Sequence, residues 1–204
     1  MPIATGAANR DGETGERSTV QQVFVPLMAG LWLAWAVSWH LAALWRGRKR
    51  EEAPRREYRL HFALAALGFF LTFLRWPPMA PLWDAGPLLG WTMVALTVAG
   101  LAFTWWARLH LGKLWAGGVV LREGHRVVDS GPYAIVRHPI YTGLFAAVIA
   151  MALVRATPSA LLGAALFVLG FTLKARVEER FLETELPGYA DYRHRVGMIV
   201  PGIG

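Results

Sequence analysis

The chain of 204 residues contains no cysteine. That removes disulfides, thiolate zinc sites and cysteine nucleophiles from consideration together. Charge is also scarce. Only 17% of residues are Asp, Glu, Lys or Arg against 55% hydrophobic, and mean hydropathy is +0.36, too apolar a balance for an ordinary soluble domain of this size. No strand, glycine-rich turn and helix follow one another in the order a soluble dinucleotide-type site requires. The histidines lack a metal-ligand spacing, and no metal is expected. Residues 1–20 are polar and lack the short apolar core and cleavage site of a signal peptide, so they read as a disordered tail.

What is present comes in apolar blocks. Val23 to Trp45, Pro87 to Ala107 and Pro139 to Val154 carry no formal charge, and Leu60 to Leu74 is interrupted only by His61, Gly68 and Thr72. Pro158 to Leu173 opens a fifth run that continues into a charged helical tail. A span needs about 20 apolar residues, and about 17 can suffice. The expectation is an all-α integral membrane protein with five transmembrane helices. Residues 1–20 form the tail, 21–109 the first three membrane helices, and 110–204 the region that carries the chemistry.

The net charge of +7 is distributed in favour of this reading. Seven Lys/Arg lie from Arg46 to Arg59, five from Arg108 to Arg137, and five from Lys174 onward, leaving Arg10, Arg17, Arg75 and Arg155 elsewhere. Five spans place all three basic stretches on one side, with the N-terminus outside and the C-terminus in the cytosol. Topology therefore accounts for the basic character, and no nucleic-acid partner is expected. Trp45, Trp76, Trp83 and Trp115 suit an interfacial belt. Trp32, Trp35 and Trp39 recur at helical spacing on the first helix, as packing against neighbouring helices or, less simply, as an aromatic wall for a lipidic molecule.

One stretch is chemically dense: Ser130-Gly-Pro-Tyr-Ala-Ile-Val-Arg-His-Pro-Ile-Tyr-Thr-Gly143. Pro139 restricts His138 to extended backbone and suits the first turn of the next helix. Arg137 and His138 at a membrane boundary need solvation or a task. Helices four and five, joined by a short turn around Thr157-Pro158-Ser159, form an antiparallel hairpin. Arg137, His138 and Tyr141 then meet Arg176, Glu178 and Glu179 on the cytosolic side. A helix N-terminus and Arg137 favour an anion, while the carboxylates favour a cation or hydroxyls. A pocket of both signs suits a zwitterionic cofactor.

The run Gly131-Pro132-Tyr133, Val136-Arg137-His138-Pro139, Tyr141 and Gly143 resembles the signature of the isoprenylcysteine carboxyl methyltransferase family. Glu178-Glu179-x-x-Leu182, Tyr189-x-x-Tyr192-x-x-Arg195-Val196 and Pro201 continue that pattern, and Leu111-Gly112, Trp115 and His125-x-Val127 precede it. The resemblance covers residues 110–201 and suggests a compact, prokaryotic-type member. It departs at Glu185-Leu-Pro-Gly188, where the family usually has a phenylalanine before the glycine.

The resemblance implies a membrane methyltransferase using S-adenosylmethionine, whose cytosolic cofactor pocket is formed by the helix 3–4 loop and the ends of helices four and five. His125, Tyr133, His138, Pro139, Tyr141, Glu178 and Glu179 would line that pocket. Arg137, with Arg176 or else Lys174, would hold an acceptor carboxylate. The acceptor is expected to be amphipathic or lipidated, of isoprenylcysteine type, and to enter from the bilayer. A lipid amine or small thiol is the second methyl-transfer reading. A more distant resemblance to NADPH-dependent membrane sterol reductases supplies an alternative of another class.

Overall fold

The computed structural model describes residues 8–42, 49–52, 59–74, 79–118, 120–122 and 126–203. Among these residues six helices dominate: α1 (Ala8–Ala42), α2 (Arg59–Phe73), α3 (Pro87–Leu111), α4 (Pro139–Arg155), α5 (Pro158–Glu185) and the short α6 (Tyr189–Arg195). The expectation of a purely helical chain needs one amendment. β1 (Lys49–Glu52) pairs antiparallel with β2 (Val120–Arg122) in a two-stranded ribbon. α1 begins at Ala8, inside the segment read from sequence as a tail, and extending an existing helix costs much less than nucleating one.

Proline and glycine punctuate these helices as the sequence suggests. α3, α4 and α5 each open on a proline in the first turn, where a missing N–H costs nothing. The Thr157 hydroxyl caps α5 by accepting from the Ala160 amide at 3.3 Å. Ala156, at φ 52°, turns the chain between α4 and α5 within two residues, an unusual conformation for a residue with a Cβ.

Among the described residues, three helical segments, Gln21–Ala42, Pro87–Leu114 and Pro158–Glu185, are long and apolar enough to cross a membrane, whereas α2 and α4 are apolar but shorter. At about 1.5 Å per residue, the 25 residues of α3 extend roughly 37 Å, more than a hydrocarbon core of about 30 Å. α2 packs most extensively on α5, and α3 on α4. Both interfaces are built on glycine. A Cβ at Gly163 would lie 2.6 Å from the Gly68 carbonyl oxygen, and one at Gly100 would lie 2.6 Å from that of Gly143. Helices in lipid gain little from hydrophobic exclusion, so close backbone approach at small residues supplies the dispersion contact.

Buried arginines tie helix ends. Arg155 donates to the carbonyls of Thr72 (2.8 Å) and Leu74 (3.1 Å). Arg108 donates to Gly112 (2.9 Å) and to Ala42 at the end of α1 (2.8 Å), with its guanidinium 4.1 Å over the Trp115 ring. Each serves helix-terminal or adjacent loop carbonyls left without intrahelical donors.

The tryptophan stripe of α1 divides by role. Trp32 is buried, edge-on to Phe69 and Phe73 of α2, and is packing. Trp35 and Trp39 stack with ring centroids 4.9 Å apart and border a cavity.

Candidate active site

The chemically dense stretch is held by the C-terminal segment. Gly131 adopts φ 58° at the start of a 3-10 turn, Gly131–Ala134, which delivers Tyr133 into the interior. The amides of Arg137 and His138 donate to the carbonyls of Gly197 (2.8 Å) and Met198 (3.0 Å), and the Thr142 hydroxyl to Ile199 (2.8 Å). The Tyr192 hydroxyl donates to the Tyr133 carbonyl at 2.7 Å. These contacts explain why tyrosines of α6 belong to the same pattern as residues some 60 positions earlier.

Arg137 and Glu179 form a buried two-point pair, Nε to Oε1 at 2.6 Å and Nη2 to Oε2 at 3.3 Å. The remaining guanidinium nitrogen, Nη1, donates to the carbonyls of Arg193 (2.8 Å) and Val196. His138 Nε2 lies 3.1 Å from Glu179 Oε1, and its Nδ1 3.7 Å from Glu178 Oε2. The imidazole lies parallel to the Tyr141 ring, within 4° at 5.3 Å. The Tyr141 hydroxyl donates to Glu178 Oε2 at 2.7 Å and accepts from Lys174 Nζ at 2.8 Å. Lys174 also reaches the Gly117 carbonyl (2.9 Å) and Glu178 Oε1 (3.3 Å). Pairing of this completeness is what permits charges to remain in a largely apolar surrounding.

The cluster walls a cavity of about 750 Å³. One side is polar, with Tyr133, His138, Tyr141, Glu178, Tyr189 and Tyr192. The rest of the lining is largely aromatic and aliphatic, with Trp35, Trp39, Phe62, Trp115 and Phe171, and Phe171 packs on Tyr141 at 5.0 Å. Burial pushes the phenols of Tyr133, Tyr189 and Tyr192 up from their ordinary range, and the Glu179 charge adds to the rise at Tyr189. All three stay protonated hydrogen-bond donors at neutral pH.

The site residues expected from sequence are thus distributed unevenly. Tyr133, His138, Pro139, Tyr141 and Glu178 border the cavity, and Glu179 stands behind them, buried and bonded to Arg137 and His138. His125 lies outside the described residues. Arg176 is exposed on α5 and does not border the cavity. Lys174, one turn before Glu178, occupies the inward position instead. Arg137 borders the cavity, but four of its five N–H donors go to Glu179 and two carbonyls, which makes it chiefly a positioning residue in this geometry. The sequence reading did not single out His61 or Arg126, both of which border the cavity. His61 comes from α2, where no motif marks it.

S-Adenosylmethionine carries an ammonium, a carboxylate, ribose hydroxyls and a sulfonium, and the residues present fit it. Glu178 offers acceptors, protonated tyrosines offer donors, and the aromatic rings of the lining suit contact with a sulfonium. Among the described residues, no group of three or more His, Asp or Glu is arranged to hold a metal ion.

Comparison with known proteins agrees with the motifs. The cobalt-zinc-cadmium resistance protein CzcN of Cupriavidus metallidurans is 29% identical over 93 residues, 45% of this chain and 43% of that protein. The nickel-cobalt-cadmium resistance protein NccN of Alcaligenes xylosoxydans xylosoxydans is 27% identical over 113 residues, 54% of this chain and 52% of that protein. The similarity thus spans about half the length of each relative. Residues 93–184, covering most of α3, the loop, α4 and nearly all of α5, match the isoprenylcysteine carboxyl methyltransferase (ICMT) family, and it is this family's pattern that the chain carries there.

Proposed function

We propose that the protein is an S-adenosylmethionine-dependent membrane methyltransferase acting on an amphipathic or lipidated acceptor that reaches the cavity from the bilayer. The observation that carries this reading is the continuity of the cavity. The family's polar motif residues and the aromatic residues of the apolar helices line one and the same cavity. In this reading α2 and α4 join the three longer helices as spans, the N-terminus faces outward, and the basic loops and C-terminus are cytosolic.

When bound, the cofactor supplies a methyl group already activated on sulfur, so the protein's task is alignment. His138, Tyr141 and Glu178 form the face against which the cofactor is held, locked from behind by Glu179 and Arg137. Trp35, Trp39 and Phe171 hold the apolar body of the acceptor and exclude water, which strengthens the remaining electrostatic contacts. Reacting atoms need to be held about 3–3.5 Å apart and in line. The family resemblance implies a prenylcysteine-type carboxylate as acceptor, and an amine or thiol is the other methyl-transfer class.

Photo-crosslinking of radiolabelled S-adenosylmethionine to the purified protein in detergent tests the reading against the reductase alternative. Labelling competed by S-adenosylhomocysteine but not by NADPH is expected. Binding of NADPH alone contradicts the proposal.

A further inference from the structure

His61 is a buried imidazole that the family motifs leave unused. It lies on α2, upstream of the family-matched segment 93–184, with only 5% of its surface exposed, and it borders the cavity. A Cβ on Gly170 would come 2.7 Å from the His61 carbonyl oxygen, so α2 and α5 touch at this level. Lys174 follows one helical turn after Gly170 on the same face of α5. His61 is within electrostatic reach of Lys174 and Glu178. It therefore stands where the aromatic side of the cavity meets the polar cluster.

The two inward cations, Arg137 and Lys174, are largely committed within the cluster before any acceptor arrives. Arg137 commits four of its five N–H donors to Glu179 and to the carbonyls of Arg193 and Val196. The three hydrogens of the Lys174 ammonium have three acceptors, at Gly117, Tyr141 and Glu178. Arg176 is exposed outside the cavity, and Arg126 borders it from an exposed position on the loop. An acceptor that must lose a proton needs a base in place of a cation, and a neutral imidazole is suited to that role near neutral pH.

We infer that His61 is the general base for a protic methyl acceptor, an amine or thiol on an amphipathic molecule, in place of a carboxylate. This rests on the methyl-transfer reading above and narrows its substrate class. The acceptor N or S forms a bond to the methyl carbon as the bond from that carbon to the cofactor sulfur breaks. The pair in the broken bond stays on sulfur, leaving a neutral thioether. The acceptor's proton passes to an imidazole nitrogen of His61, and returns to water on product release. The other titratable and charged groups lining that space are Lys174 and Glu178 of α5, His138 and Tyr141 of α4, His40 of α1, Tyr189 and Tyr192 of α6, and Arg126, Tyr133 and Arg137 between α3 and α4.

The test uses the full chain in detergent, with an alkylamine, an alkylthiol and an S-farnesylated cysteine derivative as acceptors, alongside calorimetric titration with S-adenosylhomocysteine. Expected are methylation of the amine or thiol and a fall in kcat/KM as pH drops through the imidazole range. In His61→Gln that limb disappears and kcat/KM falls at least ~100-fold, while S-adenosylhomocysteine affinity is unchanged. Methylation of the carboxylate alone, or a His61→Gln protein with wild-type rate and pH profile, overturns the assignment and leaves methyl transfer standing. If both His61→Gln and His61→Asn lose S-adenosylhomocysteine binding, His61 is a structural residue and the assignment is likewise overturned. Failure of the wild-type protein to bind S-adenosylhomocysteine overturns the methyltransferase reading and this inference together.

Discussion

At the scale of single residues, the site is a chain of mutual constraints. Glu179 is held by Arg137 and His138, whereas Glu178 faces the cavity and meets Tyr141 and Lys174. Two adjacent carboxylates thus have separate jobs, and their variants separate accordingly. Glu179→Ala leaves the Arg137 charge buried and unpaired, which costs about 3–5 kcal/mol. The expected outcome is a large drop in thermal stability, read by unfolding in detergent. Tyr141→Phe removes a hydroxyl bonded to both Glu178 and Lys174 and keeps the ring. Stability is expected to change by about 1–3 kcal/mol, with methyl transfer reduced at least ~10-fold through lost alignment. A Tyr141→Phe protein as active as wild type sinks the proposed role. Most residues of this cluster were legible in the sequence because Pro139, Tyr141 and the Glu178/Glu179 pair come in a recognisable order. The division of labour was not legible, since which of two neighbouring glutamates turns inward depends on helix phase. The same phase turns Lys174 toward the cavity and Arg176 out to the surface.

At the scale of elements, close helix packing fixes the frame on which the cavity is built. α2 and α5 approach backbone to backbone at Gly68, Gly163 and Gly170, and α3 and α4 do so at Gly100 and Gly143. Gly163→Val inserts a branched side chain where only 2.6 Å separates a Cβ from the Gly68 oxygen. It is expected to cost about 1–3 kcal/mol as overpacking and to lower methyl transfer by widening the α2–α5 seam. A Gly163→Val protein with wild-type unfolding temperature contradicts this packing. The apolar runs made these helices legible, yet α2 and α4 are shorter than a comfortable span. For α4 the reason is visible at its ends: the His138-Pro139 boundary starts it late, and Ala156 and Thr157 stop it early. The β1–β2 ribbon was not legible, because Lys49–Glu52 is wholly charged and carries no alternation of apolar and polar residues.

At the scale of the whole molecule, the absence of cysteine turns the proposed orientation into a direct experiment. Single cysteines can be introduced on a background that reacts with nothing else. Asp84→Cys lies between α2 and α3, and Glu183→Cys in the last turn of α5. The orientation proposed above predicts that an impermeant maleimide added to intact cells labels the first and not the second. The reverse pattern contradicts the orientation. The cavity joins residues from α1, α2, α3, α4 and α5 with the loop and α6, so its aromatic side could not be read from the motif half of the chain alone.

The central claim is that the polar side of this cavity binds a sulfonium-derived nucleoside cofactor. Calorimetric titration of the purified protein with S-adenosylhomocysteine tests it most directly. The account predicts saturable binding at one site per chain, weakened at least ~10-fold in Glu178→Gln by loss of a charge-assisted hydrogen bond, and no heat with NADPH. Absence of S-adenosylhomocysteine binding to a folded wild-type protein, or equal affinity in Glu178→Gln, would contradict it.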